Sequence, residues 1–153
     1  MSKKWGAPTW IFLHTFAEKI DGAFYKANVG LVLNIIGKVL NNLPCPYCRS
    51  HALSYFKHVK PKNVPDRQTL IRMLFHFHNT VNRRTRGRQF KESELRMYTF
   101  RRMDLVTTAF VGAFCHRYNR VLMGGHLPEN GRRKTAALEI LAWLRGCWHM
   151  FQR

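Results

Sequence analysis

Cys45-Pro46-Tyr47-Cys48 is the short segment with the clearest chemistry. Two cysteines separated by two residues can close a small disulfide ring. Pro46 suits the first turn of a helix, which puts both thiols at a helix N-terminus. The partial positive charge there stabilises a thiolate, the species that attacks a disulfide or reduces an acceptor. Thiol redox work therefore has a physical reason to use this spacing and place. Two competing readings use the same residues. The tetrapeptide matches the glutaredoxin active site, but that thioredoxin-like fold needs a strand just before the motif. Here residues 32–43 have helical periodicity instead. Cys45, Cys48, His51, His76 and His78 could also supply ligands to zinc. A zinc-stabilised basic helical module that binds nucleic acid is thus the alternative function. One C-x-x-C with histidines from other helices is a weak zinc pattern, and redox ranks above it. A pair of inert buried thiols ranks last, because the motif sits where a loop enters a helix.

The elements that must position this dithiol read as helices throughout. Residues 8–26 form a first helix with Trp10, Leu13, His14 and Ala17 on one face. Residues 29–43 form a second, striped by Val32, Ile35, Ile36, Val39, Leu40 and Leu43. The third runs over residues 45–58. Asp66 caps a fourth that reaches Arg84, with Leu70, Met73, Leu74, Phe77 and Val81 inward. Residues 83–88 are its basic exit. A helical stretch over 92–121, broken near 101–104, and a loop at 124–131 follow. A last helix over 132–151 is apolar at Leu138, Leu141, Ala142 and Leu144. There is no internal repeat and no β alternation, so the fold class is all-α, a helical bundle with a C-terminal helical extension.

Three spaced motifs and a basic tail carry a family resemblance. Trp5-Gly6-Ala7-Pro8-Thr9-Trp10-Ile11-Phe12-Leu13-His14 fits W-G-x-x-x-W-x-x-L-H. Leu43-Pro44-Cys45-Pro46-Tyr47-Cys48 comes next, followed by His51 and by Tyr55-Phe56. His78-Asn79-Thr80-Val81-Asn82 fits H-N-x-V-N, and Arg83-Arg84-Thr85-Arg86 is the basic exit. In this order the chain resembles the Erv/ALR flavin-linked sulfhydryl oxidases, above all their short viral members. The match spans about residues 5–100.

The resemblance implies a four-helix bundle plus a short fifth helix, holding FAD within residues 5–100. Residues 101–153 then form a basic helical extension packed on that domain or continuing it. Trp10 and His14 are expected to line the cofactor from the first helix. His78, Asn79, Val81 and Asn82 are expected to do so from the fourth, with His51 nearby. Histidine and asparagine offer donors and acceptors to a flavin, and Trp10 a flat face. The implied catalytic pair is Cys45, exposed to exchange, and Cys48, next to the flavin. The implied reaction is oxidation of protein thiols, with electrons passed to oxygen and hydrogen peroxide released. Thr85 and Gly87 replace the leucine and lysine that the family often has after H-N-x-V-N. Arg84, Arg86 or Arg88 is expected on the FAD phosphates instead. A second C-x-x-C is missing, so a separate dithiol relay protein is the expected partner, and a homodimer the expected assembly. Kinship with viral members implies host cytoplasm or the virion as the place of action.

Composition bounds these readings. The chain of 153 residues has 26 Lys and Arg against 8 Asp and Glu, a net charge of +18. Such a balance favours anionic partners, nucleic acid among them, without choosing one. No sequence-reading nucleic-acid motif is present. Apolar runs are too short and interrupted to span a membrane. Lys3 and Lys4 are not followed by a convincing cleavage site, so an intracellular, reducing setting is expected rather than secretion. Cys115 and Cys147 are expected as separate buried thiols, with a disulfide between helices as the other possibility. No resident metal is expected.

Overall fold

Helical spacing of apolar residues is realised in eight α-helices, seen in a computed structural model that describes residues 4–116 and 128–151. They are α1 (Gly6–Lys19), α2 (Gly22–Ala27), α3 (Val29–Asn41), α4 (Pro46–Phe56), α5 (Arg67–Arg84), α6 (Arg96–Thr99), α7 (Met103–Phe114) and α8 (Pro128–Gly146). Short 3-10 turns cover Pro61–Asn63, Glu92–Leu95 and Trp148–Met150. Among the described residues the β pairing is one isolated antiparallel bridge, Ile20 to Phe151.

Helix α1 is the axle of the fold. It packs on α5, α6 and α7, while α3 packs on α4 and α8, and α7 on α8. Every residue from Phe12 to Ala17 is buried. The sequence pattern anticipates one inward face, bearing Leu13, His14 and Ala17. The opposite face is inward too, because Phe12 stacks on Phe110 of α7 with ring centres 4.2 Å apart. A helix covered all round carries no polar stripe. On α3 the expected stripe holds, and Val32, Ile35, Ile36, Val39, Leu40 and Leu43 are all buried.

Two expected helices end early, for one reason. The first was expected to run to residue 26 but breaks at Ile20, which is extended with ψ 135°. Asp21 then restarts the chain as the N-cap of α2, accepting from the Phe24 N–H at 2.8 Å. The last was expected to run to residue 151 but stops at Gly146. Residues 147–151 turn back so that Phe151 pairs with Ile20, and Met150 O accepts from the Asp21 N–H at 2.6 Å. Long-range backbone pairing outweighs local helix propensity at both places. The start of α8 at Pro128 makes residues 128–131 helical rather than loop. The expected helix to residue 121 and the loop from 124 to 127 lie partly outside the described residues.

The inward face of α8 also differs from expectation. It is made by Arg133, Ala136, Ala137, Ile140, Leu144 and Cys147, whereas Leu138 is 58% exposed. Two alanines let the helix approach closely, and Arg133 is held by the carbonyls of Phe114 and His116 and by Asn130. The core runs without interruption from α1 to Phe151, so residues after 101 share it with the earlier helices.

Candidate active site

The chain bends at Pro44, and Pro46 starts α4 at the dithiol. Cys45 is its N-cap, with φ −97° and ψ 113°, and Pro46 occupies the first turn. The Cys48 N–H donates to Cys45 Sγ at 3.2 Å, so a sulfur atom takes the place of the usual capping oxygen. Both cysteines are partly buried against the core, while Tyr47 between them is 65% exposed. The Tyr47 ring meets His51 edge-on at 4.3 Å. Its face receives the Arg84 guanidinium at 5.3 Å, a cation–π contact joining the start of α4 to the end of α5.

Cys48 forms part of the wall of a cavity of 410 Å³ between α1, α3, α4 and α5. That volume lies within the range of about 300–1,000 Å³ common for cofactor pockets. Trp5, Trp10, Leu13, Leu40, Leu43 and Phe77 make its walls apolar and aromatic. His78, Val81, Asn82, Arg84 and Thr85 enter from α5 and its exit. Apolar walls with a few convergent polar groups, a guanidinium at the rim and a thiol at the side suit a planar aromatic ring that bears phosphates. Of the sequence candidates, Trp10, Cys48, His78, Val81, Asn82 and Arg84 thus meet around one space.

His14 lies behind this wall instead of in it. Its Nε2 is 3.0 Å from His78 Nδ1, and one of the two nitrogens donates to the other. His78 stacks on Trp10 at 4.1 Å and 7°, and His14 stacks on Tyr98 at 4.6 Å. The two imidazoles therefore connect the cavity wall to α6. Burial holds both neutral: His14 is pushed down to about 3, with the charge of His78 adding to the effect, and His78 to about 4. Burial likewise pushes the Tyr98 phenol up to about 12.

Asn79 is buried and turned away from the cavity. Its Nδ2 donates to Phe90 O at 2.8 Å and its Oδ1 accepts from the Phe90 N–H at 2.7 Å. Asn82 donates to Arg88 O at 3.0 Å while also lining the cavity. Two asparagines three apart on α5 thus hold the returning segment 88–90, and Phe90 lies against the rings of His14 and His78. The reversal turns on Arg86, with φ 56°, and on the Gly87 N–H, which donates to Asn82 O. Arg88 is engaged by Glu94, at 2.6 and 3.2 Å. Arg86 is exposed at the turn, and His51 touches Tyr47 without reaching the cavity wall.

Sequence reasoning missed Tyr47, Phe90 and Tyr98 as neighbours of the site. Tyr47 was in plain view within the motif. Phe90 lies in an irregular segment and Tyr98 in the single turn of α6, too short for a periodicity to mark a buried face. Cys115 and Cys147 do not pair with each other; Cys147 Sγ donates to Trp143 O at 3.3 Å, and burial pushes both thiols up. Among the described residues no group of three or more His, Cys, Asp or Glu converges to hold a metal ion. The zinc set considered above, Cys45, Cys48, His51, His76 and His78, is therefore not assembled. No described helix is long and apolar enough to cross a membrane.

Comparison with known proteins reaches the same site. A sequence model of the Erv1/Alr family matches residues 7–101. Relatives named FAD-linked sulfhydryl oxidase occur in African swine fever virus. Those of a Kenyan and a Namibian isolate are 29% identical over 119 residues, covering 72% of this chain and 95% of the relative. That of a Malawian isolate is 28% identical over 115 residues, with the same coverage. No solved structure matches the chain.

Proposed function

This chain belongs to the Erv1/Alr family, and from that premise we propose that Cys45 and Cys48 are its working dithiol and that the cavity beside Cys48 receives the flavin. The protein is an FAD-dependent thiol oxidase. The observation that carries the site assignment is that Cys48 shares one cavity wall with Trp10, His78, Val81 and Asn82.

In the proposed cycle a substrate thiolate attacks Cys45 Sγ of the Cys45–Cys48 disulfide. Cys48 leaves as a thiolate, and a mixed disulfide with Cys45 forms. A second substrate thiolate attacks the substrate sulfur of that mixed disulfide, releasing oxidised substrate and the Cys45 thiolate. The α4 N-terminus stabilises both leaving thiolates, and the Cys48 N–H pointing at Cys45 Sγ adds a donor for the second. When bound, FAD would supply a two-electron acceptor for the dithiol and a route from there to oxygen, with hydrogen peroxide as product. Trp10 and the stacked His78 supply the aromatic wall of its site. Asn82 supplies a polar group, while Arg84 and Arg86 supply charge for the phosphates. His14 and Asn79 act from behind, fixing His78 and the Phe90 segment, and His51 fixes Tyr47. We assign this unit to residues 5–100, with residues 101–153 as its outer support. Protein thiols, or a relay protein carrying a dithiol, are the substrates.

The test is a visible spectrum of the purified protein, followed by oxygen uptake with dithiothreitol. A bound-flavin spectrum with uptake abolished in Cys48→Ser is expected. Full uptake by that variant would remove Cys48 from the reaction.

A further inference from the structure

The end of α5 is a poor place from which to offer a cation to a phosphate. Arg83 and Arg84 stand in its last turn. The carbonyls there are partly negative, so they draw a guanidinium back onto the helix and repel an anion. Arg84 nevertheless lines the cavity, with its guanidinium carbon 5.3 Å from the centre of the Tyr47 ring.

Tyr47 lies in the first turn of α4, between the two cysteines, and it too lines the cavity. His51, one turn further on, meets its ring edge-on at 4.3 Å and braces it. An aromatic face attracts a cation without accepting hydrogen bonds along the guanidinium edge, so the N–H groups are left for an anion. A carboxylate uses them up instead: Glu94 takes two from Arg88, at 2.6 and 3.2 Å. The sequence offers Arg84, Arg86 and Arg88 for the phosphates. Arg88 is committed to Glu94, whereas the ring contact holds Arg84 and leaves its donors in place.

We propose that Tyr47 is a positioning residue for the cofactor: its ring holds the Arg84 guanidinium at the cavity rim, away from the α5 carbonyls, where a phosphate of FAD takes its N–H groups. The inference rests on Arg84 being a phosphate contact. A side chain held beforehand costs less entropy to order when the cofactor binds. The tetrapeptide then serves the reaction twice. Its cysteines exchange disulfides, and the residue between them helps to retain FAD.

The test is a fluorescence titration of FAD into the full-length protein and its variants. Tyr47→Leu keeps bulk at an exposed position and removes the aromatic face. It is expected to raise the Kd for FAD about three- to fivefold. Tyr47→Phe keeps the face and is expected to bind FAD as the parent does. In an Arg84→Gln background, Tyr47→Leu is expected to change the Kd by less than about twofold. An equal loss with and without Arg84 overturns the proposal, because the ring would then act on the cofactor directly. So does parent-like binding by Tyr47→Leu, or a loss in Tyr47→Phe as large as in Tyr47→Leu. Nuclear magnetic resonance gives a readout that needs no cofactor. The Arg84 side-chain protons are expected to carry a ring-current shift that Tyr47→Leu abolishes, and an unchanged shift overturns the contact itself. If Arg84→Gln alone leaves the Kd unchanged, Arg84 is not a phosphate contact and the proposal falls with that assignment. The dithiol assignment is decided separately, by oxygen uptake in Cys48→Ser.

Discussion

Arg86 carries a backbone cost that makes its proposed role testable. It is the one non-glycine with positive φ among the described residues, although Gly87 stands next to it. The left-handed region costs a residue with a Cβ about 1 kcal/mol or more. The role on the FAD phosphates proposed for Arg86 would be a reason to keep a side chain at this position. Arg86→Gly is therefore expected to leave the flavin-free protein as stable or up to about 1 kcal/mol more stable, and to weaken FAD binding. Urea denaturation and flavin titration check the two halves separately. The histidine pair makes a second demand. Its folded pKa values, about 3 and about 4, lie below the ordinary 6.5. The unfolded chain therefore binds protons more readily than the folded one below pH 6.5. Stability is full above that value and falls as the pH drops toward 4. At pH 5 His14 alone accounts for about 2 kcal/mol. Urea midpoints at pH 7.5 and 5 should show the loss, and His14→Gln should flatten it. An equal loss in that variant would assign the acid sensitivity to other groups.

Between residue and fold stand the elements, and α5 with the segment it holds shows what they contribute. Asn79 places both ends of its amide on the Phe90 backbone, so Asn79→Ala leaves a buried N–H and C=O unpaired. A loss of about 2 kcal/mol is expected, with faster hydrogen exchange at the Phe90 amide. Unchanged exchange at Phe90 would show that other contacts hold the segment. This is also where the sequence was partly illegible. The α3 stripe, the Asp66 cap and the dithiol at a helix start all follow from local pattern, because each depends on residues within one or two turns. Asn79 and Asn82 were recognisable as polar groups on one side of a helix facing the site. That one amide would be spent on Phe90 depends on how an irregular segment returns, and no periodicity records it. Ile20 is a comparable case. Asp21-Gly22 is a local signal for a break, but the extended residue before it pairs with Phe151 at the other end of the chain, which no local pattern records. The α8 face was only partly legible, because Leu144 turns inward as expected but shares that face with Ala136, Ala137 and Arg133, while Leu138 is exposed.

The dependence of the site on the whole molecule is set by α1. One side of this helix presents Trp10 and His14 toward α5, and the other rests Phe12 and Phe16 against α7, Trp143 and Phe151. No polar face is left over, so α1 has no solvent-exposed register to which it could shift. The C-terminal extension therefore covers half of the helix that carries the aromatic wall of the cavity. Phe110 is fully buried between Phe12 and Phe114. Phe110→Ala, 28 residues beyond Asn82 at the end of the H-N-x-V-N motif, is expected to cost about 3–5 kcal/mol. Because Phe12, which rests on Phe110, and Trp10, which lines the cavity, share α1, the same substitution should also lower flavin affinity, although Phe110 does not line the cavity. If the extension supports the flavin unit in this way, the two parts unfold together. Circular dichroism and flavin fluorescence should then give coincident transitions in the parent protein and in the variant, the latter shifted to lower denaturant. A variant that unfolds in two steps, with flavin held through the first, would show that residues 5–100 keep their site without the extension.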